Sequence, residues 1–288
     1  MRRSGPVAGS TDPAPGGRIV TVLVVLGLVG SAVAVTLAAP VVLGRGTWWT
    51  RHPTLALRSW LVALALAAGA LLLSVAVAAT IVAVRAHTSG FGAVAAGLFA
   101  WCGLAVAGGV GALLLTTAEP LSDAARRADA AVTLLVARSA GRPRRVGAHE
   151  VVSLPVDVPL ACATPDGRIV VSTVVEAAMS PQCLRAVVEH ERAHVRGRHE
   201  LIRRIAAVNA AAFPGLRTAQ DLRRTVALLV ELVADDAAAR VCGPATVCNA
   251  LVAMDALDPD PGLQLRAERL ARVRVRTWEH RRGAVAAR

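Results

Sequence analysis

Three long stretches in the first 118 residues, 19–43, 59–84 and 91–117, carry no Asp, Glu, Lys or Arg, and nothing else restricts the fold of this chain as strongly. As a helix, a stretch of 25 such residues reaches about 37 Å, more than the ~30 Å hydrocarbon core of a bilayer. Each is expected to be a transmembrane helix. A secretory signal competes for the first, because Ala32-Val33-Ala34 has the small-x-small form. The stretch is longer than a signal's apolar region, however, and two more follow it. Composition agrees: 55% of residues are hydrophobic, only 3% are aromatic and there is no Tyr, which is unlike an ordinary soluble enzyme.

The formal net charge is +12, a value that suits nucleic acid or the anionic face of a membrane. Placement decides between them. Arginines gather just after the third apolar stretch (Arg126, Arg127, Arg138, Arg142, Arg144, Arg145) and again over 266–288, with a single aromatic residue, Trp278, among them for base stacking. Nucleic acid is not expected as a partner; membrane lipid is. Three crossings with this arginine cluster at the end place residues 119 onward in the cytoplasm and make the chain a multi-pass protein of the cell membrane. Arg45, Arg51 and Arg58 then also lie inside, while Arg2, Arg3 and Arg18 would lie outside, against the rule. The five cysteines form no CxxC pair and leave one over, which argues against both a disulfide framework and a thiolate zinc cage.

Residues 1–18 are rich in Pro, Gly and Ser and are expected to be a disordered leader. After Glu119-Pro120, a helix is expected over 122–138, then a Gly/Pro/Arg break. Short strands over 150–153, 160–163 and 168–172 follow, the last two joined in a hairpin by Thr164-Pro165-Asp166-Gly167. Everything from Ser180 onward reads as helix, with further helices near 201–213 and 222–241. The fold class is therefore a mainly α membrane protein followed by an α+β domain.

The chemistry lies in Val188-Glu189-His190-Glu191-Arg192-Ala193-His194. Ser180-Pro181 starts a helix and Gly197 stops it, so the motif sits mid-helix. His190 and His194, four apart, share one face, as two imidazoles must if they are to bind one ion. Glu191 lies about 100° further round, able to reach a metal-bound water as general base. Catalytic zinc takes a third protein donor. Glu231 in Val230-Glu231-Leu232-Val233-Ala234-Asp235-Asp236 is the candidate, a carboxylate in an otherwise apolar helix, where burial unpaired would be costly. Asp235, one turn on, is placed to hold a ligating histidine. His199 is a neighbour or a surface residue; His52, His87, His149 and His280 receive no role. The bland alternative is a solvated helix whose charges merely pair along its surface.

HERAH followed by Val-Arg-Gly-Arg-His, preceded by GRIVVS and followed by ELVADDAA, resembles the membrane-embedded metallopeptidases of the β-lactam sensor-transducer (BlaR/MecR) type and, more distantly, the HtpX-type membrane proteases. The resemblance covers about 146–241 plus the apolar N-terminal half. It implies a zincin-like (gluzincin) domain over 119–265 with a basic tail over 266–288. It also implies one zinc ion on His190, His194 and Glu231, with Glu191 catalytic. The sensors carry a fourth span and an extracellular penicillin-binding domain, and no run that would supply them follows Val241, so antibiotic sensing is not expected. A Tyr oxyanion donor is excluded for want of any Tyr, leaving His199 or Arg240.

The expected activity is zinc-dependent hydrolysis of proteins or peptides near the cytoplasmic membrane face. The alternative is a membrane-anchored regulator whose metal site is structural. The intact general base speaks against it, since a structural site has no use for Glu191.

Overall fold

The computed structural model describes residues 16–43, 46–85, 91–138, 142–147, 149–164 and 166–272. The leader up to residue 15, the tail from residue 273 and His87 lie outside the described residues.

Three helices carry the apolar half: α1 (Gly16–Leu43), α3 (Pro53–Arg85) and α4 (Phe91–Arg138), with the short α2 (Trp48–Arg51) before α3. Among the described residues two helices are long and apolar enough to cross a membrane, over Pro53–Thr80 and Trp101–Arg138. The apolar part of α1 found there, Leu26–Thr36, is shorter than a span. Two of the three expected spans thus qualify among the described residues, while over the remaining one α1 is a helix of 28 residues. Leu66, Leu72, Leu98, Val106 and Leu115 are exposed at 60–74%; helices apolar all round, with such side chains outward, suit lipid rather than water. The break expected after Thr117 is absent. α4 runs unbroken through Pro120 to Arg138, because a proline removes one hydrogen bond of the ladder without ending a helix this long.

The chain falls into two compact units, one of residues 1–39 and 61–112, the other of residues 40–60 and 113–288. The second holds a four-stranded sheet in the order β1-β2-β4-β3. Its strands are β1 (Arg142–Val146), β2 (His149–Leu154), β3 (Ala161–Ala163) and β4 (Ile169–Ser172). β3 and β4 form the expected antiparallel hairpin, and β2 runs parallel to β4. β1 was not expected: Arg-Pro-Arg-Arg-Val has the composition of a break. As an edge strand paired to β2, it keeps Arg144 and Arg145 in solvent and tolerates a proline.

Alternation along the strands gives the sheet two apolar faces. Val152, Leu154 and Val170 pack with Val136 of α4, whereas Val151, Ile169 and Val171 pack with Leu184, Val187 and Val188. These last belong to α6 (Pro181–Arg196), which follows the short α5 (Thr173–Ala178). Ser180 caps α6 by accepting a hydrogen bond from the Cys183 amide at 3.2 Å, with Pro181 at the first helical position. Three more helices complete the unit: α7 (His199–Ala212), α8 (Arg217–Cys242) and α9 (Pro244–Leu257). Residues 261–272, here α10, are also helical.

Candidate metal centre

α6 and α8 pack side by side, and α8 brings Leu229, Val230 and Ala234 to the core at 0% exposure. This apolar anchoring fixes the facing side of α8, where Glu231 meets the histidines of α6. His190 Nε2 and His194 Nε2 are 3.0 Å apart. Glu231 Oε2 lies 3.3 Å from the first and Oε1 lies 3.5 Å from the second. All three donors fall within 4.8 Å of one another. Two ligands bound to zinc at 2.0–2.1 Å with tetrahedral angles would be about 3.3 Å apart. The imidazole–imidazole spacing and the nearest imidazole–carboxylate approaches, 3.0–3.5 Å, are close to that value, and the two-imidazole, one-carboxylate donor set fits the ion.

The far nitrogens of both imidazoles are also held. His190 Nδ1 lies 3.0 Å from Asp235 Oδ1, and His194 Nδ1 lies 3.1 Å from His199 Nδ1. His199 is 2% exposed, so it is no surface residue. A bend between α6 and α7 brings it there. Arg198 takes a left-handed conformation (φ 48°), and Gly197 lets the ring approach. A Cβ on Gly197 would stand 2.3 Å from His199 Nε2.

Two arginines that sequence reasoning did not place complete the centre. Arg266 of α10 grips Asp235 with two hydrogen bonds of 2.8 and 2.7 Å. Its third nitrogen, Nη1, lies 2.9 Å from Glu231 Oε2, and its side chain is 11% exposed. Arg203 of α7 donates to the other Glu231 oxygen. Signals for both were present. Arg203 is one turn after His199, and Arg266 flanks the Leu263/Ala267/Leu270 stripe that turns α10 inward. Arg269, also counted above in a basic tail, is packed as well, pairing with Asp236 at 2.8 Å and donating to the Thr50 carbonyl at 2.6 Å. Arg240, a candidate oxyanion donor by sequence, is exposed. On another side of α6, the buried Glu189 lies 2.7 Å from His149 Nε2, so His149 serves to seat the helix.

Burial and charge set the protonation of the centre. Burial opposes a charge on His190, but hydrogen bonds to Asp235 and Glu231 outweigh it and raise its pKa to about 9. Burial, then the neighbouring charge of His190, lowers His194 to about 3. Burial and Arg203 bring His199 to about 4. Glu231, despite burial, is held down to about 2 by His190 and Arg266. Burial pushes Glu191 up to about 7, with the charge of His190 acting the other way. A carboxyl at that value can both take and return a proton near neutral pH.

The sequence pattern of peptidase family M48 matches residues 124–226. The match supports a metallopeptidase. It includes all of α6 and α7 and stops short of Glu231, so the third donor and Arg266 rest on geometry alone. No curated protein and no solved structure matches the chain.

Proposed function

We propose that this chain is a membrane-anchored zinc endopeptidase in which His190, His194 and Glu231 hold the ion and Glu191 is the general base. The observation that carries the reading is the convergence of two imidazoles and a carboxylate, one donor atom from each within 4.8 Å of the others, beside a buried carboxyl. The bound ion would polarise the scissile carbonyl and bring the pKa of its water to about 7. Glu191, buried with its pKa raised to about 7, would serve as the base that takes a proton from water and returns it to the leaving amine. Asp235 and His199 fix the two imidazoles so that both Nε2 lone pairs face one point. Arg203 and Arg266, paired with Glu231, bring positive charge to the site, where it would favour a developing oxyanion in place of a tyrosine.

Substrates are proteins or peptides at the membrane surface. Segment 46–52 precedes the first candidate span and α10 follows the second, yet Arg269 donates to Thr50. A pair of crossings by α3 and α4 returns both to one side, and the arginines flanking them assign that side to the cytoplasm.

The test is to purify the full chain in detergent, load it with zinc and incubate it with a peptide library. Wild type is expected to produce fragments, and Glu191→Gln is expected to produce none while binding the same zinc. Equal fragmentation by both would remove the reading. A wild type that binds one zinc and cleaves nothing would point instead to a regulator with a structural metal.

A further inference from the structure

α10 has two apolar faces. Ala267 and Leu270 turn into the core at 7% and 1% exposure, whereas Leu265 points away from it and is 64% exposed. That outer face, the segment 47–51 and the Leu228/Leu232 side of α8 enclose a cavity of about 820 Å³. Glu231 and the histidines of α6 do not line it. Trp49, Leu228, Leu232 and Leu265 give it apolar walls, and four arginines, Arg51, Arg266, Arg269 and Arg272, stand in its lining against one acid, Glu268. We propose that this cavity binds one anionic phospholipid of the cytoplasmic leaflet, its phosphate held by Arg51 and Arg272 and the upper part of an acyl chain laid against Leu228, Leu232 and Leu265.

The inference goes beyond the endopeptidase reading and does not depend on it. Position supplies the partner. α2 ends at Arg51 and a candidate span begins at Pro53, so one wall of the cavity adjoins the point where the chain enters the bilayer. Trp48 and Trp49, successive residues of α2, suit that depth, because indoles favour the boundary between water and hydrocarbon. Charge supplies the headgroup. Two of the arginines are committed to the fold, Arg266 to Asp235 and Glu231 and Arg269 to Asp236 and the Thr50 carbonyl; they fix the walls. Arg51 is exposed, and no carboxylate pairs with it among the described residues. Arg272 pairs with Glu268 at 3.2 Å, both side chains being more than half exposed. Such a screened pair yields readily to a phosphate, which accepts hydrogen bonds from two guanidinium nitrogens at once. A zwitterionic headgroup would bring its own cation to the same arginines. Size supplies the rest. The volume lies within the roughly 300–1,000 Å³ of small-molecule sites, room for a phosphoglycerol group and the start of a chain, and a chain there covers the exposed Leu265.

The experiment titrates the purified full chain, in a neutral detergent, with phosphatidylglycerol or phosphatidylcholine and counts bound lipid by native mass spectrometry. One phosphatidylglycerol per chain is expected, held about fivefold or more tighter than phosphatidylcholine. Arg51→Gln and Arg272→Gln should each weaken it about fivefold. Arg223→Gln, which removes an exposed arginine of α8 outside the cavity, should change nothing. Leu265→Ser tests the apolar wall and should weaken both lipids alike. All four positions are exposed, so each variant should fold and bind zinc as wild type does. Phosphatidylglycerol with a photoreactive acyl chain should cross-link to residues 228–232 or 265–272. Glycerol phosphate lacks the chain and its apolar burial, so about a hundredfold excess of it should not displace the lipid. Displacement at equal concentration would make this a site for a soluble phosphate compound and overturn the proposal. Equal affinity for the two lipids, equal losses in the Arg223, Arg51 and Arg272 variants, or cross-links confined to α3 and α4 would overturn it as well. A wild type that binds the lipid and cleaves no peptide would sink the endopeptidase reading and leave this site standing.

Discussion

In the proposed centre Asp235 orients a ligand rather than supplying one. It holds His190 Nδ1 at 3.0 Å and is itself held by Arg266. Asp235→Asn keeps the shape but loses the charge and half of the grip, so zinc affinity should fall about 10- to 100-fold. Competition against a chelator of known affinity measures it, and an unchanged affinity would show that the carboxylate does not orient the ring. Gly197→Ala acts on the other imidazole by pushing His199 away, and a loss of the same order is expected. The protons give an independent check. In the metal-free protein His190 stays protonated up to pH about 9, and a ligating nitrogen must lose that proton. Zinc binding at pH 7.5 should therefore release about one proton, and affinity should climb as pH rises towards 9 and level off above it. Calorimetry in buffers of different ionisation enthalpy counts the release; a count of zero would contradict the assignment.

At the scale of elements, α8 is the part on which the centre depends. It is anchored by Leu229, Val230 and Ala234, all at 0% exposure. Leu229→Ala should destabilise the protein by about 2–5 kcal/mol and weaken zinc binding with it, both readable from thermal unfolding with and without metal. α6 and α8 were legible in the sequence because each has local signals: a Ser-Pro start, a glycine stop, and charged residues at helical spacing in an apolar frame. The β3–β4 hairpin was legible from its turn. β1 was not, since an edge strand owes its pairing to a neighbour and not to its own composition. Nor was the continuation of α4 through Pro120, where the length of the helix overrides the local preference of one residue. The helical positions of Arg203 and Arg266 were legible but their pairing was not, because their partners lie 28 and 31 residues or more away in sequence and pairing at that distance is a property of the fold.

The whole molecule joins helices of membrane length to a unit that carries the candidate metal centre. Labelling of single cysteines placed at residues 46–52 and in the loop 155–160 should find both on the cytoplasmic side, and opposite sidedness would break the paired-crossing arrangement. The claim beneath all of this is one zinc ion on two imidazoles and a carboxylate. Zinc X-ray absorption of the purified full chain tests it most directly. The account predicts one zinc per chain with two imidazole nitrogens and oxygen donors, all at about 2.0–2.2 Å, and the loss of that signature in Glu231→Ala. Sulfur at about 2.3 Å, or a spectrum unchanged by removing Glu231, would contradict it.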